Sequence, residues 1–293
     1  LSLLLRDFID GIPLDLASSL LPLKTRFLPS SLFHVHLHAK AQRKLSYMVD
    51  ELKTRKSDFS LASMKKLIGT LEDTIGSLKL KNLQTVWNDY YKDDSYTKAE
   101  FSNKKKIVGE YVDRVSPKIV WDLGANTGEF SKICSSKNIY TLAFDNDFLA
   151  VEGAYQDAKE RKDKNLLPLL LDLTNTTPSI GFFNQERSSL TERGNPDLVI
   201  ALALTHHLAI GNNVPFSLLS DVFSKLSKSL IVEFVPRSDK KVQKILFLRE
   251  ELFPDYNEDS FEKEFGRNFL IVRKEHVGKP NGRKLYLMKK RNV

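Results

Sequence analysis

The first residues in this 293-residue sequence with chemistry to offer are Trp121-Asp122-Leu123-Gly124-Ala125-Asn126-Thr127-Gly128-Glu129-Phe130, where an apolar run, 118–123, gives way to small side chains. Small residues at the carboxyl end of a strand let the backbone approach a ligand at the point where open α/β sheets bind one. The spacing is Gly-x-Asn-x-Gly and not Gly-x-Gly-x-x-Gly, and Asp122 beside the turn serves a pyrophosphate poorly. Both features argue against NAD and FAD. Taken alone, the loop is equally well a plain βα turn.

Other polar residues stand at the ends of later apolar runs. Asp145, in Phe144-Asp145-Asn146-Asp147, follows Gly124 by 21 residues, near the roughly 20-residue spacing at which a carboxylate meets ribose hydroxyls. A surface turn is the alternative, more so for Asp147. Asp172 occupies the same position in Leu171-Asp172-Leu173-Thr174. The run 198–204 leads into Thr205-His206-His207, and an imidazole at a strand end is suited to taking a proton near neutral pH. At most one of the two is expected to do so, with capping or packing the competing explanation. Glu233, in Ile231-Val232-Glu233-Phe234, stands at a fifth strand end, where it either lines a pocket or pairs with Arg237. His34 and His38 share a helical face at ligand spacing, but no neighbouring acid or cysteine completes a site. No metal is expected.

The elements that must carry these residues follow from periodicity. Short apolar runs at 118–123, 139–144, 166–171, 198–204 and 230–234, separated by helical stretches, read as five βα units whose strands are covered on both faces. Two further runs, 269–273 and 284–288, flank a turn-rich segment and read as a hairpin. Thr97 and Glu100 form a capping box opening a helix that contains Lys104 and ends before Ser116-Pro117. Upstream, Leu61, Met64, Leu67, Ile68, Leu71, Ile75 and Leu78 recur at helical spacing. The expected division is a helical N-terminal region, 1–81, and an α/β domain, 82–293.

Composition narrows the class. Lys and Arg number 45 against 37 Asp and Glu, giving a net charge of +8. Residues 1–81 carry 13 basic and 8 acidic side chains, 82–266 carry 23 and 28, and 267–293 carry 9 and 1. The excess therefore sits at the ends, which fits a solvated hairpin better than a nucleic-acid-binding face. One cysteine, Cys134, excludes an intrachain disulfide and a cysteine metal site. No apolar run approaches the roughly 20 residues of a membrane span, and the expected location is the cytoplasm. Residue 1 is Leu, so the chain is read as a fragment.

With these residues in view, the segment from Asp122 to Gly128 resembles motif I of class I S-adenosylmethionine-dependent methyltransferases, with Asn126 in place of the more usual glycine. The segment from Trp87 through Tyr91 and Tyr96 resembles the lead-in of nodulation-protein NoeA-like methyltransferases. The resemblance implies a Rossmann-like sheet of parallel strands closed by an antiparallel hairpin. It implies S-adenosyl-L-methionine as cofactor, contacted by Asp122, Gly124, Ala125, Asn126, Gly128, Asp145, Asn146, Asp172, Leu173 and Ala203. Tyr91 and Lys104 would close over it, Lys104 near its carboxylate. His206, His207 and Glu233 would face the methyl acceptor, an oxygen or nitrogen atom of a small molecule in preference to RNA or protein. A noncatalytic RNA-binding or scaffold module on the same fold is the second reading, and a nicotinamide oxidoreductase the third.

Overall fold

The computed structural model describes residues 2–47, 60–78, 96–247, 249–280 and 282–291. The chain divides into two compact units, residues 1–83 with 179–187, and residues 84–178 with 188–293. The first unit thus takes in a segment that the sequence reading assigned to the α/β domain.

The second unit is built on seven strands: β1 Ile119–Leu123, β2 Tyr140–Asp145, β3 Leu166–Leu170, β4 Leu198–Ala201, β5 Ser229–Phe234, β6 Phe269–His276 and β7 Lys284–Lys290. They form one sheet in the order β3-β2-β1-β4-β5-β7-β6. β1 to β5 run parallel, and β7 lies antiparallel to both β5 and β6. This is a Rossmann-like sheet of five parallel strands closed by an antiparallel hairpin, as expected from the run spacing and the terminal turn. The chain winds outward from β1 to β3 and crosses back to β4, so the switch point of the sheet lies between β1 and β4.

Burial on both faces explains the unbroken apolar runs. Along β1, Trp121 and Leu123 join a layer with Phe216, Phe223, Phe261 and Phe265. Val120 points the other way, toward Ile107, Val108, Tyr111 and Val112. Those four residues belong to the helix Lys98–Val115, which starts at the Thr97 and Glu100 capping box and stops at Ser116 in the left-handed conformation (φ +50°). Both ends match the sequence reading.

Two elements differ from it. β4 stops at Ala201 and not at Leu204, because Ala203 takes φ +49° and swings the chain out of the sheet. The β3 to β4 connection holds single 3-10 turns at Phe182–Asn184 and Leu190–Glu192 in place of a full helix. Pro178, Gly181, Gly194 and Pro196 punctuate that stretch too closely for helical propagation.

In the first unit, helices span Leu14–Leu20, His38–Tyr47 and Leu61–Ser77, with a π-type turn at Leu32–Leu37. The buried histidine is His36, whose Nδ1 lies 2.8 Å from Ser18 Oγ and Nε2 2.9 Å from Thr25 Oγ1. These hydrogen bonds satisfy both ring nitrogens and join three short elements. Among the described residues, no group of three His, Cys, Asp or Glu side chains could hold a metal ion, and no helix is long and apolar enough to cross a membrane.

Candidate functional site

The carboxyl ends of β1 to β4 enclose a cleft of about 340 Å3. After Leu123 the chain turns at Gly124 (φ +76°), and the amides of Gly124 and Ala125 both donate to the Phe144 carbonyl, at 2.8 and 2.9 Å. A Cβ on Gly124 would lie 3.1 Å from Leu204 Cδ1. Conformation and space therefore both demand glycine here. Asn126 continues the turn at φ +51°, which Asn tolerates better than most residues.

Asp145 connects the loops that follow β1 and β2. Its Oδ2 accepts the Asn126 amide at 2.7 Å and its Oδ1 the Asp147 amide at 2.9 Å. Each carboxylate oxygen keeps a lone pair for a further donor. Burial raises the pKa of Asp145 above the ordinary carboxylate value, against the pull of these amides. Asp122 is 2% exposed and accepts Ser131 Oγ at 2.5 Å. Its burial pushes the pKa up to about 6. Asp172 accepts the Thr174 amide and hydroxyl through Oδ1, at 2.9 and 2.7 Å.

The cleft brings together most of the residues singled out in the sequence: Asp122, Gly124, Ala125, Asn126, Asp145, Asn146, Asp172, Leu173, Ala203, Lys104 and His207 all line it. Gly128 does not. It turns the chain at φ +77° toward the helix Ser131–Ser135, with its amide on the Ala125 carbonyl at 2.9 Å. Tyr91 and Trp87 lie outside the described residues.

His206 and Glu233 are also absent from the lining. His206 is fully buried, and neither of its ring nitrogens has a hydrogen-bond partner. The His207 ring sits against it at a centroid distance of 4.1 Å. Burial, followed by the charges of Arg283 and Lys241, depresses the His207 pKa to about 4, and burial holds His206 well below the ordinary imidazole value. The expectation of an imidazole titrating near neutral pH is therefore not met. Desolvation and neighbouring cations both disfavour the imidazolium.

Glu233 is enclosed by cations. Lys104 Nζ donates to its Oε2 at 2.6 Å, Tyr96 hydroxyl donates to its Oε1 at 2.7 Å, and Arg283 Nη1 lies 3.8 Å from Oε1. Lys104 also donates to Tyr96 at 2.8 Å. Burial alone would raise the Glu233 pKa, but Lys104 and Arg283 more than offset it and hold the carboxyl below its ordinary value. Arg237, the alternative partner weighed from the sequence, donates Nη1 to the Phe253 carbonyl. Arg283 forks onto Asp239 through Nε at 2.8 Å and Nη2 at 3.2 Å. The sequence reading took Arg283 for part of a solvated turn, and its partners lie 44 to 187 residues away. Phe130, Leu208, Asn212 and Ile245, also in the lining, carried no spacing signal.

No family model matches the chain. It is 33% identical over 285 residues to nodulation protein NoeA of Rhizobium meliloti (strain 1021), an alignment covering 96% of this chain and 60% of that protein. Among solved structures it is similar to magnesium protoporphyrin IX methyltransferase (ChlM) from Synechocystis PCC 6803 with bound SAH. There the identity is 19%, the TM-score 0.47, and the coverage 70% of this chain and 93% of the other. It is also similar to the bifunctional kinase-methyltransferase WbdD, at 15% identity and a TM-score of 0.46, covering 75% of this chain and 46% of the other. The chain thus spans 60% of the length of its curated relative.

Proposed function

We propose that this chain is an S-adenosylmethionine-dependent methyltransferase, with residues 82–293 as its catalytic domain. The observation that carries the reading is the cleft itself. Three carboxylates, Asp122, Asp145 and Asp172, stand at successive strand ends in a class I methyltransferase sheet, around a loop held open by Gly124. The residues fit the cofactor: a left-handed glycine whose Cβ would intrude, a carboxylate with spare lone pairs for a ribose diol, and apolar walls at Leu171, Leu173 and Leu204 for a base. Bound S-adenosylmethionine supplies an electrophilic methyl group on a sulfonium.

In this reading Asp145 orients the ribose, Asp172 faces the adenine end and Asp122 faces the amino group of the methionine portion. Lys104, with two of its three donors on Glu233 and Tyr96, has its third for the methionine carboxylate. Transfer to an acceptor oxygen or nitrogen then depends on alignment and a dry site more than on covalent chemistry. His207, uncharged at physiological pH and in the cleft wall, is the residue to receive an acceptor proton. His206 supports its ring from behind, and Glu233 serves as the counter-ion that keeps Lys104 in place. The acceptor is a small molecule in this reading, which the acidic balance of residues 82–266, 23 basic against 28 acidic side chains, supports over a nucleic acid. The unpaired, buried Cys134 fits a cytoplasmic setting.

A thermal-shift titration with S-adenosylmethionine, S-adenosylhomocysteine and NAD tests the proposal. Free ligand at about 100 times Kd adds about 2.7 kcal/mol of stability, so a rise in Tm selective for the two adenosyl-sulfur ligands is the expected result. A response to NAD alone would overturn it.

A further inference from the structure

The helix Leu61–Ser77 buries none of its residues, yet it carries an uninterrupted apolar seam. Leu61, Met64, Ile68, Leu71 and Ile75 are spaced three and four apart in alternation, the a and d positions of a heptad, with Leu67 flanking them at a g position and Leu78, the extended C-cap residue, just past the helix end. Their exposures run from 37 to 71%. A helix packed on the core of its own domain follows a 3.6-residue stripe, whereas a 3.5-residue repeat keeps its seam on a partner helix. The helix also needs a partner to persist. Gly69 and Gly76 each cost about 1 kcal/mol relative to Ala, and seventeen residues is close to the length at which isolated helices are marginal.

We propose that this helix pairs with the same helix of a second copy of the chain, as a two-stranded antiparallel coiled coil. Antiparallel alignment sets Met64 opposite Ile75 and Ile68 opposite Leu71, with Leu61 toward the C-cap residue Leu78 of the partner, so the seam meets itself in a self-complementary, closed two-fold contact. The flanking charges select the orientation. Lys65 and Glu72 both occupy e positions, which face each other across an antiparallel pair and form two equivalent ion pairs. A parallel pair would set Lys65 against Ser60 and Glu72 against Leu67, leaving both charges unmatched. Lys66 and Asp73 fall at f positions, on the outer face, where they remain in water.

The pairing is independent of the chemistry in the cleft, and its test is the mass of the full chain in solution. Sedimentation equilibrium across the micromolar range should give a concentration-dependent dimer. Ile68→Glu, in the central layer, should raise the dimer dissociation constant at least tenfold, and Lys66→Glu on the outer face should leave it unchanged. Lys65→Glu should weaken the dimer, and the exchange Lys65→Glu with Glu72→Lys should restore it. A folding defect would not produce that recovery. A chain that stays monomeric throughout, or a dimer indifferent to Ile68→Glu or to the charge exchange, would overturn the proposal.

Discussion

At the residue scale, burial raises the pKa of both Asp145 and Asp122, and the two carboxylates differ in what they hold together. Asp145 accepts an amide from each of two loops, so Asp145→Ala releases both and removes the ribose contact. S-adenosylmethionine affinity, measured by calorimetry, should fall at least tenfold, and Asp145→Asn should fall between the variant and the parent. Asp122 is a cost to the fold. Its carboxyl titrates at about 6 in the folded chain against an ordinary value of 3.8, so between those values the folded state binds the proton that the unfolded state has released. Its contribution to stability is therefore greatest below pH 4 and declines as pH rises through 6. Asp122→Asn removes the buried charge and should raise Tm at pH 7.5, with little change at pH 4. The same substitution should weaken cofactor binding at pH 7.5, a trade expected where a buried charge is kept for function. Equal Tm changes at the two pH values would refute the titration argument.

At the element scale, the helix Lys98–Val115 delivers Lys104 to the wall of the cleft, and its start is set locally. Thr97 Oγ1 accepts the Glu100 amide at 3.2 Å while Glu100 Oε2 accepts the Thr97 amide at 2.8 Å. Thr97→Ala leaves the Glu100 amide to water and should cost about 1 kcal/mol, seen as a Tm lower by about 3 °C. Thr97→Ser should restore most of it. This element was legible in the sequence because its signals lie within one turn of each other. The β3 to β4 connection was not, because its shape depends on joining a different compact unit through residues 179–187.

At the scale of the whole molecule, the group formed by Lys104, Glu233, Tyr96 and Arg283 ties the helix Lys98–Val115, β5 and the turn before β7 beneath the cleft. Glu233→Gln strands a buried ammonium, so a loss of about 3–5 kcal/mol is expected from urea unfolding. Pairing it with Lys104→Met should recover much of that loss, while cofactor affinity stays low because Lys104 lines the cleft. The pH dependence also has a defined sign. Glu233 is held below its ordinary value of 4.5, so its stabilisation is complete above that value and is lost as pH falls through the lowered one.

The sequence by itself determined the sheet, from β1 through the β6–β7 hairpin, and the strip of strand-end residues at Asp122, Gly124, Asp145 and Asp172. Runs of apolar residues and the turns that end them are local, and a parallel sheet places all such turns on one edge. Only the tertiary structure decided the state of the charged and titratable groups. It set Glu233 on Lys104, recruited Arg283 from a turn, buried His206 out of the cleft and kept His207 uncharged within it. Those outcomes depend on desolvation and on partners 129 to 187 residues apart, quantities that no local spacing encodes.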